Sequence, residues 1–148
     1  MGPVDEGNQD DESQGDPHRA IADYRAGLDR HAGSPGLWNG LGNALRLSGD
    51  AASAVQAFTQ AVNLDPGYAE AHCNLGTMFA RTGDLDAALA AYNRAITHQP
   101  ELVEAYTNLS ILYRRSGDPD LSLRKAQRAV ELDPSSLEAL NALGAASL

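Results

Sequence analysis

The dipeptide Gly-Asp occurs at 15–16, 49–50, 83–84 and 117–118, always 34 residues apart. Glycine reaches the left-handed backbone conformation without steric cost, so it suits the end of a helix. Aspartate suits the start of the next one, where its carboxylate accepts hydrogen bonds from the free N–H groups of the first turn. Each copy therefore reads as a tight bend between two antiparallel helices. A fixed period of roughly 20–50 residues marks a repeat array. The rest of the chain is read in that register.

Apolar residues recur at helical spacing between the bends. Asp16-Pro17 opens a helix expected to run to about Arg30, with Ala20, Ile21, Tyr24 and Leu28 on one stripe. Three full units follow, 35–68, 69–102 and 103–136, then a half unit, 137–148. Position 4 of the three units holds Trp38, His72 and Tyr106; position 7 holds Leu41, Leu75 and Leu109; position 11 holds Leu45, Phe79 and Tyr113. These form the expected apolar stripe of a first helix. The facing stripe of the second helix is Ala54, Ala88 and Ser122 at position 20, Phe58, Tyr92 and Ala126 at 24, and Ala61, Ala95 and Ala129 at 27. Gly42, Gly76 and Ser110 at position 8 let the axes approach, and Pro66, Pro100 and Pro134 at position 32 close the second helix. Ala126 stands where the earlier units have an aromatic, so looser packing is expected there.

Charge is uneven. The net charge is −9, but residues 1–16 carry six of the twenty acids and no base; the rest is close to balance. Residues 1–14 hold one bulky apolar side chain after the first methionine, Val4, and are expected to be a disordered acidic tail. Their acids lack calcium-loop spacing. No basic patch suits nucleic acid. No apolar run approaches the roughly 20 residues of a membrane span, and no signal peptide opens the chain. Cys73 is the single cysteine, which fits a reducing compartment, and a cytoplasmic location is expected.

Catalytic patterns are missing. Gly40-Leu41-Gly42 has no third glycine and falls inside a helix. His18, His31, His72 and His98 show neither a zinc-protease pair nor Cys/His zinc spacing. His72 takes a core position and Cys73 has no predictable base. No enzyme active site, metal or cofactor is expected.

Trp38-x2-Leu41-Gly42-x2-Leu45, the small residues at positions 20 and 27 and the prolines at 32 resemble the tetratricopeptide repeat family, over residues 15–148. The resemblance implies an all-α, right-handed α-solenoid of stacked helix pairs whose concave face binds an extended protein segment. In that family, first-helix positions 2, 5, 6, 9, 12 and 13 line the face. Carried over, they are Asn39, Asn43 and Arg46; Glu70, Cys73, Asn74, Thr77 and Arg81; Glu104, Thr107, Asn108, Ile111, Arg114 and Arg115; and Glu138 and Asn141. Glu70, Cys73, Glu104 and Glu138 frame the wall; the others are the expected peptide-binding residues.

An amide both donates and accepts, which matches a peptide unit. The asparagines resemble the asparagine ladder in the repeat array of O-linked N-acetylglucosamine transferases, although Gly40 and Ala142 interrupt it. The family's carboxylate clamp for chaperone C-termini is not expected, because Asn39, Glu104 and Asn108 stand where its cations belong. The arginines and the glutamates form opposite edges of a groove that orients a ligand by charge. A protein or peptide partner is therefore expected, with no nucleic acid and no membrane. Two alternatives stand beside this interaction module. One is the substrate-recruiting array of a larger enzyme such as a glycosyltransferase. The other is a structural module that self-associates through the helix begun at 137, whose apolar face has no cap.

Overall fold

The computed structural model describes residues 15–148; the acidic segment 1–14 lies outside the described residues. The described residues form eight helices and no strand. They fall into two compact units divided at 66–67. The first unit contains α1 (Pro17–Arg30), α2 (Pro35–Ser48) and α3 (Ala51–Leu64). The second contains α4 (Ala69–Arg81), α5 (Leu85–His98), α6 (Val103–Arg115), α7 (Pro119–Leu132) and α8 (Leu137–Ala146). The fold class is all-α, of the helical-repeat kind.

The Gly-Asp bends work as their chemistry requires. Gly49, Gly83 and Gly117 have φ of 92°, 86° and 85°, the left-handed region open to glycine. The Gly49 N–H donates to the Arg46 carbonyl at 3.1 Å and the Asp50 N–H to the Leu45 carbonyl at 3.0 Å. This crossed pair satisfies the last carbonyls of α2. The Asp50 carboxylate then accepts the Ser53 N–H at 3.1 Å and opens α3. The same linkage recurs at 83–84 and 117–118. Asp16 caps α1 by accepting from the His18 and Arg19 N–H groups.

The core follows the expected stripes. Leu41, Leu75 and Leu109 are buried, as are all residues at positions 20, 24 and 27 of the three full units. Helix axes approach where glycine meets an aromatic. A Cβ on Gly42 would lie 2.5 Å from the Phe58 ring, and one on Gly76 would lie 2.7 Å from the Tyr92 ring. The α6–α7 hairpin uses a different solution. Ser110 replaces the glycine, Ala126 replaces the ring, and the two helices are tied by reciprocal bonds. The Ser110 hydroxyl donates to the Ser122 carbonyl and the Ser122 hydroxyl to the Ser110 carbonyl, both at 2.8 Å. Ala126 is fully buried, so the looser packing expected from its small size does not show in its burial. A larger residue at position 8 and a smaller one at 24 trade volume, and two buried hydrogen bonds hold the contact.

Two further details complete the scaffold. The Trp38 indole N–H donates to the Ala32 carbonyl at 2.9 Å and pins the turn between α1 and α2. His72 is buried and its ring stacks on His98, with centroids 6.0 Å apart and planes 14° from parallel. That geometry agrees with a core role for His72.

Candidate peptide-binding groove

In the first unit, Asn39, Asn43 and Arg46 lie on α2. Asn39 is buried, with 4% exposure. Arg46 donates to the Asn43 side-chain oxygen at 3.4 Å, across one helical turn. In the second unit, Asn74, Thr77 and Arg81 lie on α4, Thr107, Asn108, Ile111, Arg114 and Arg115 on α6, and Asn141 on α8.

Position 5 departs from the expectation. Asn39, Cys73 and Thr107 all occupy it, and all are buried; of the three, Thr107 still borders a groove with its small exposed edge. The reason is visible at Cys73. It shares a core cluster with Ala105 and Leu109 of α6, so the next first helix closes over it. Asn108 reaches back as well, its amide donating to the Cys73 sulfur at 3.9 Å. Asn141 is at position 5 too, yet it is exposed. Thr77 faces inward in part: its hydroxyl donates to the Cys73 carbonyl and meets the Tyr92 hydroxyl at 3.0 Å. Arg115 has a further job. Both terminal nitrogens of its guanidinium donate to the Ala80 carbonyl at 3.3 Å, at the negative end of α4. Arg81 and Arg114 are exposed.

Five of the expected residues meet in one place. Thr107, Asn108, Ile111 and Arg114 of α6 and Asn141 of α8 line a groove of about 400 Å³. A second groove of about 460 Å³ shares Thr107, Asn108 and Glu138 with it, and adds Glu104, Asp133 and Ser136. Acids thus gather at the N-terminal ends of α6 and α8, and Arg114 stands near the C-terminal end of α6. Amides and the exposed Ile111 lie between.

A cleft of about 850 Å³ in the first unit was not anticipated. It lies among α1, α2 and α3, with Leu28, Trp38, Leu41 and Leu45 below and Arg25, Asp29, Gln56 and Gln60 on its rim. Leu28, Trp38, Leu41 and Leu45 belong to the expected core stripes, whereas Val55 and Ala57, at positions 21 and 23, lie outside them. Trp38, the largest of the lining side chains, is half-buried there.

Cys73 does not have the profile of a reactive thiol. Burial, then the Glu104 carboxylate, raises it from 9.0 to about 12, against a smaller opposing pull from the Asn108 amide. Burial also raises Tyr92 from 10.0 to about 12, opposed by its hydrogen bond to Thr77. Both groups are neutral below their ordinary values. Raised folded pKa values favour the fold there, and that contribution is lost as pH climbs from about 9 through about 12. We expect urea unfolding midpoints to be level at neutral pH and to fall across that window. At about pH 8, a thiol reagent should label Cys73 only after unfolding.

Among the described residues no helix is long and apolar enough to cross a membrane, and no three His, Cys, Asp or Glu side chains gather as a metal site. The bends and core stripes define an all-α array of antiparallel helix pairs. The chain belongs to the tetratricopeptide repeat family, whose model matches residues 9–69, 48–102 and 107–148. Members of this family are protein-interaction modules, typically scaffolds rather than catalysts. Among solved structures, the chain is similar to MamA, at 25% identity and a TM-score of 0.78 over 91% of this chain and 79% of that one. A thermophilic repeat protein of Thermus thermophilus aligns at 23% identity and 0.80, over 91% and 75%. The first repeat domain of Spaghetti, bound to an HSP90 peptide, aligns at 20% identity and 0.73, over 77% and 90%. No protein with a curated description matches the sequence.

Proposed function

We propose that the protein is a scaffold without chemistry of its own, and that it holds an extended protein segment against its first helices. The observation that carries this is the groove in which Asn108, Asn141, Thr107, Ile111 and Arg114 converge. The amides supply paired donor and acceptor groups for a peptide backbone, in the manner of an asparagine ladder. Ile111 offers an apolar contact, and the Glu104–Glu138 side and Arg114 give the ligand a direction. Within the second unit, Asn74 and Arg81 of α4 belong to the same binding surface in this reading, and Arg115 holds α6 to α4. Asn43 and Arg46 offer a polar pair of the same kind on α2 of the first unit. The repeat domain bound to an HSP90 peptide supports the general idea that this fold accommodates a peptide. Capture of a chaperone C-terminus is not part of the proposal, because Glu104 and Asn108 offer no cation for a terminal carboxylate. A cytoplasmic setting belongs to the reading and is supported by the single buried thiol.

The test uses peptides selected from a random displayed library against the whole chain. Asn108→Ala with Asn141→Ala removes two side-chain partners, each contributing about 0.5–1.5 kcal/mol. Binding of a selected peptide should weaken by roughly five- to hundredfold, with helicity unchanged. Undiminished binding would move the site off this groove.

A second reading is self-association through α8. It is favoured by Leu137 and Leu140, which are 67% and 44% exposed.

A further inference from the structure

The self-association reading leaves open what α8 would meet, and the repeat register supplies a candidate. In two hairpins, position 8 is a glycine filled by the aromatic at position 24: Gly42 by Phe58, and Gly76 by Tyr92. Gly144 occupies position 8 on α8, and a Cβ there would meet nothing within 4 Å. α8 is therefore a first helix with an empty aromatic notch, flanked by exposed Leu137 and Leu140. It packs on α6 and α7.

α1 is the reverse case. It is a second helix in the register, with Ala20, Tyr24 and Gly27 at positions 20, 24 and 27. The same positions on α3, Ala54, Phe58 and Ala61, are 0% exposed. On α1 all three are only half-buried. Tyr24 rests against Gly40 of the following first helix. Tyr92, by comparison, is placed against Gly76 and also shares a core cluster with residues of the following first helix. Among the described residues, Tyr24 has one of these two neighbours and no glycine notch.

Charge points the same way. Glu138 is the sole charged residue of α8, whereas α1 carries Arg19, Arg25 and Arg30 against Asp23 and Asp29. In the α4–α5 hairpin, position 4 stacks on position 30, as His72 on His98. That register sets Leu140 beside the Arg30 stem and brings the Arg30 charge toward Glu138.

We propose that α8 receives α1 of a second copy, with Tyr24 filling the Gly144 notch, so that two half units complete one repeat across two chains. This pairing rests on the self-association reading and adds the partner surface to it. The contact joins unlike faces, so it propagates into chains or a ring.

The test starts with light scattering of the 148-residue chain from about 1 μM to about 1 mM, the range in which weak contacts populate. Mass should rise with concentration. Gly144→Phe fills the notch without an internal clash, so it should weaken association at least about tenfold at unchanged helicity. Unaltered association in that variant would overturn the pairing. Arg30→Cys and Leu140→Cys chains, both altered at exposed positions, are then mixed with a short bismaleimide. Cross-links that need both chain types support the contact. Cross-links formed mainly between Leu140→Cys chains would mean that α8 meets α8; self-association would then stand and this pairing would fall. A constant monomer mass would overturn both and leave the α8 face to a different protein. None of these outcomes bears on the peptide groove.

Discussion

Phe58→Ala should destabilise the first unit by about 3–5 kcal/mol, the range for removing a buried phenyl ring. Phe58 has no exposed surface, and its ring occupies the space that Gly42 leaves open. Removing it leaves a cavity bordered by backbone that cannot collapse, because the Gly49-Asp50 bend holds α2 and α3 together at one end. A typical domain is stable by only about 5–15 kcal/mol, so the loss is a large fraction of the whole. Trp38 is the single tryptophan and lies in this unit, so its emission reports the transition directly. The expected result is a strong fall in the urea midpoint read by Trp38. A shift equivalent to less than about 1 kcal/mol would mean that Phe58 is not the ring that closes this hairpin.

Tyr92→Ala should cost about as much in the second unit, and part of that cost should be recoverable by a specific pair of changes. Tyr92 fills the space over Gly76 and its hydroxyl meets Thr77. The α6–α7 hairpin shows how the chain manages without such a ring. There, serines at positions 8 and 20 exchange hydrogen bonds over Ala126. Gly76→Ser with Ala88→Ser transfers that arrangement to α4 and α5. Added to Tyr92→Ala, these changes should restore roughly 1–2 kcal/mol, from two buried hydrogen bonds and a better helix former in place of glycine. Added without Tyr92→Ala they should destabilise, because a Cβ at 76 would lie 2.7 Å from the ring. Denaturation of the four proteins by circular dichroism completes the cycle. Simple additivity would show that the serine pair and the aromatic are not alternative solutions to one packing problem.

Much of this molecule is legible along the chain. The 34-residue period, the Gly-Asp bends, the capping aspartates and the core stripes are local properties. They follow from glycine's backbone freedom, carboxylate hydrogen bonding and helical spacing. The first helix ends at Arg30, as its pattern requires. The candidate groove is legible only in outline. A register position says which way a side chain leaves its own helix, not what stands opposite.

Tertiary structure decided the rest. Asn39, Cys73 and Thr107 are buried although their position was assigned to an open wall, since burial depends on the neighbouring elements as well as on the residue's own helix. Arg115 reaches a carbonyl 35 residues away, a partner that no spacing on its own helix identifies. Ser110 and Ala126 read separately are a lost glycine and a lost ring; only their joint packing with Ser122 shows a balanced exchange. The sequence by itself determined the repeat, its bends and its core, because each arises within one helix or one turn. Which polar residues remain open for a partner was decided by the tertiary structure, because exposure belongs to the packed surface and to no single residue.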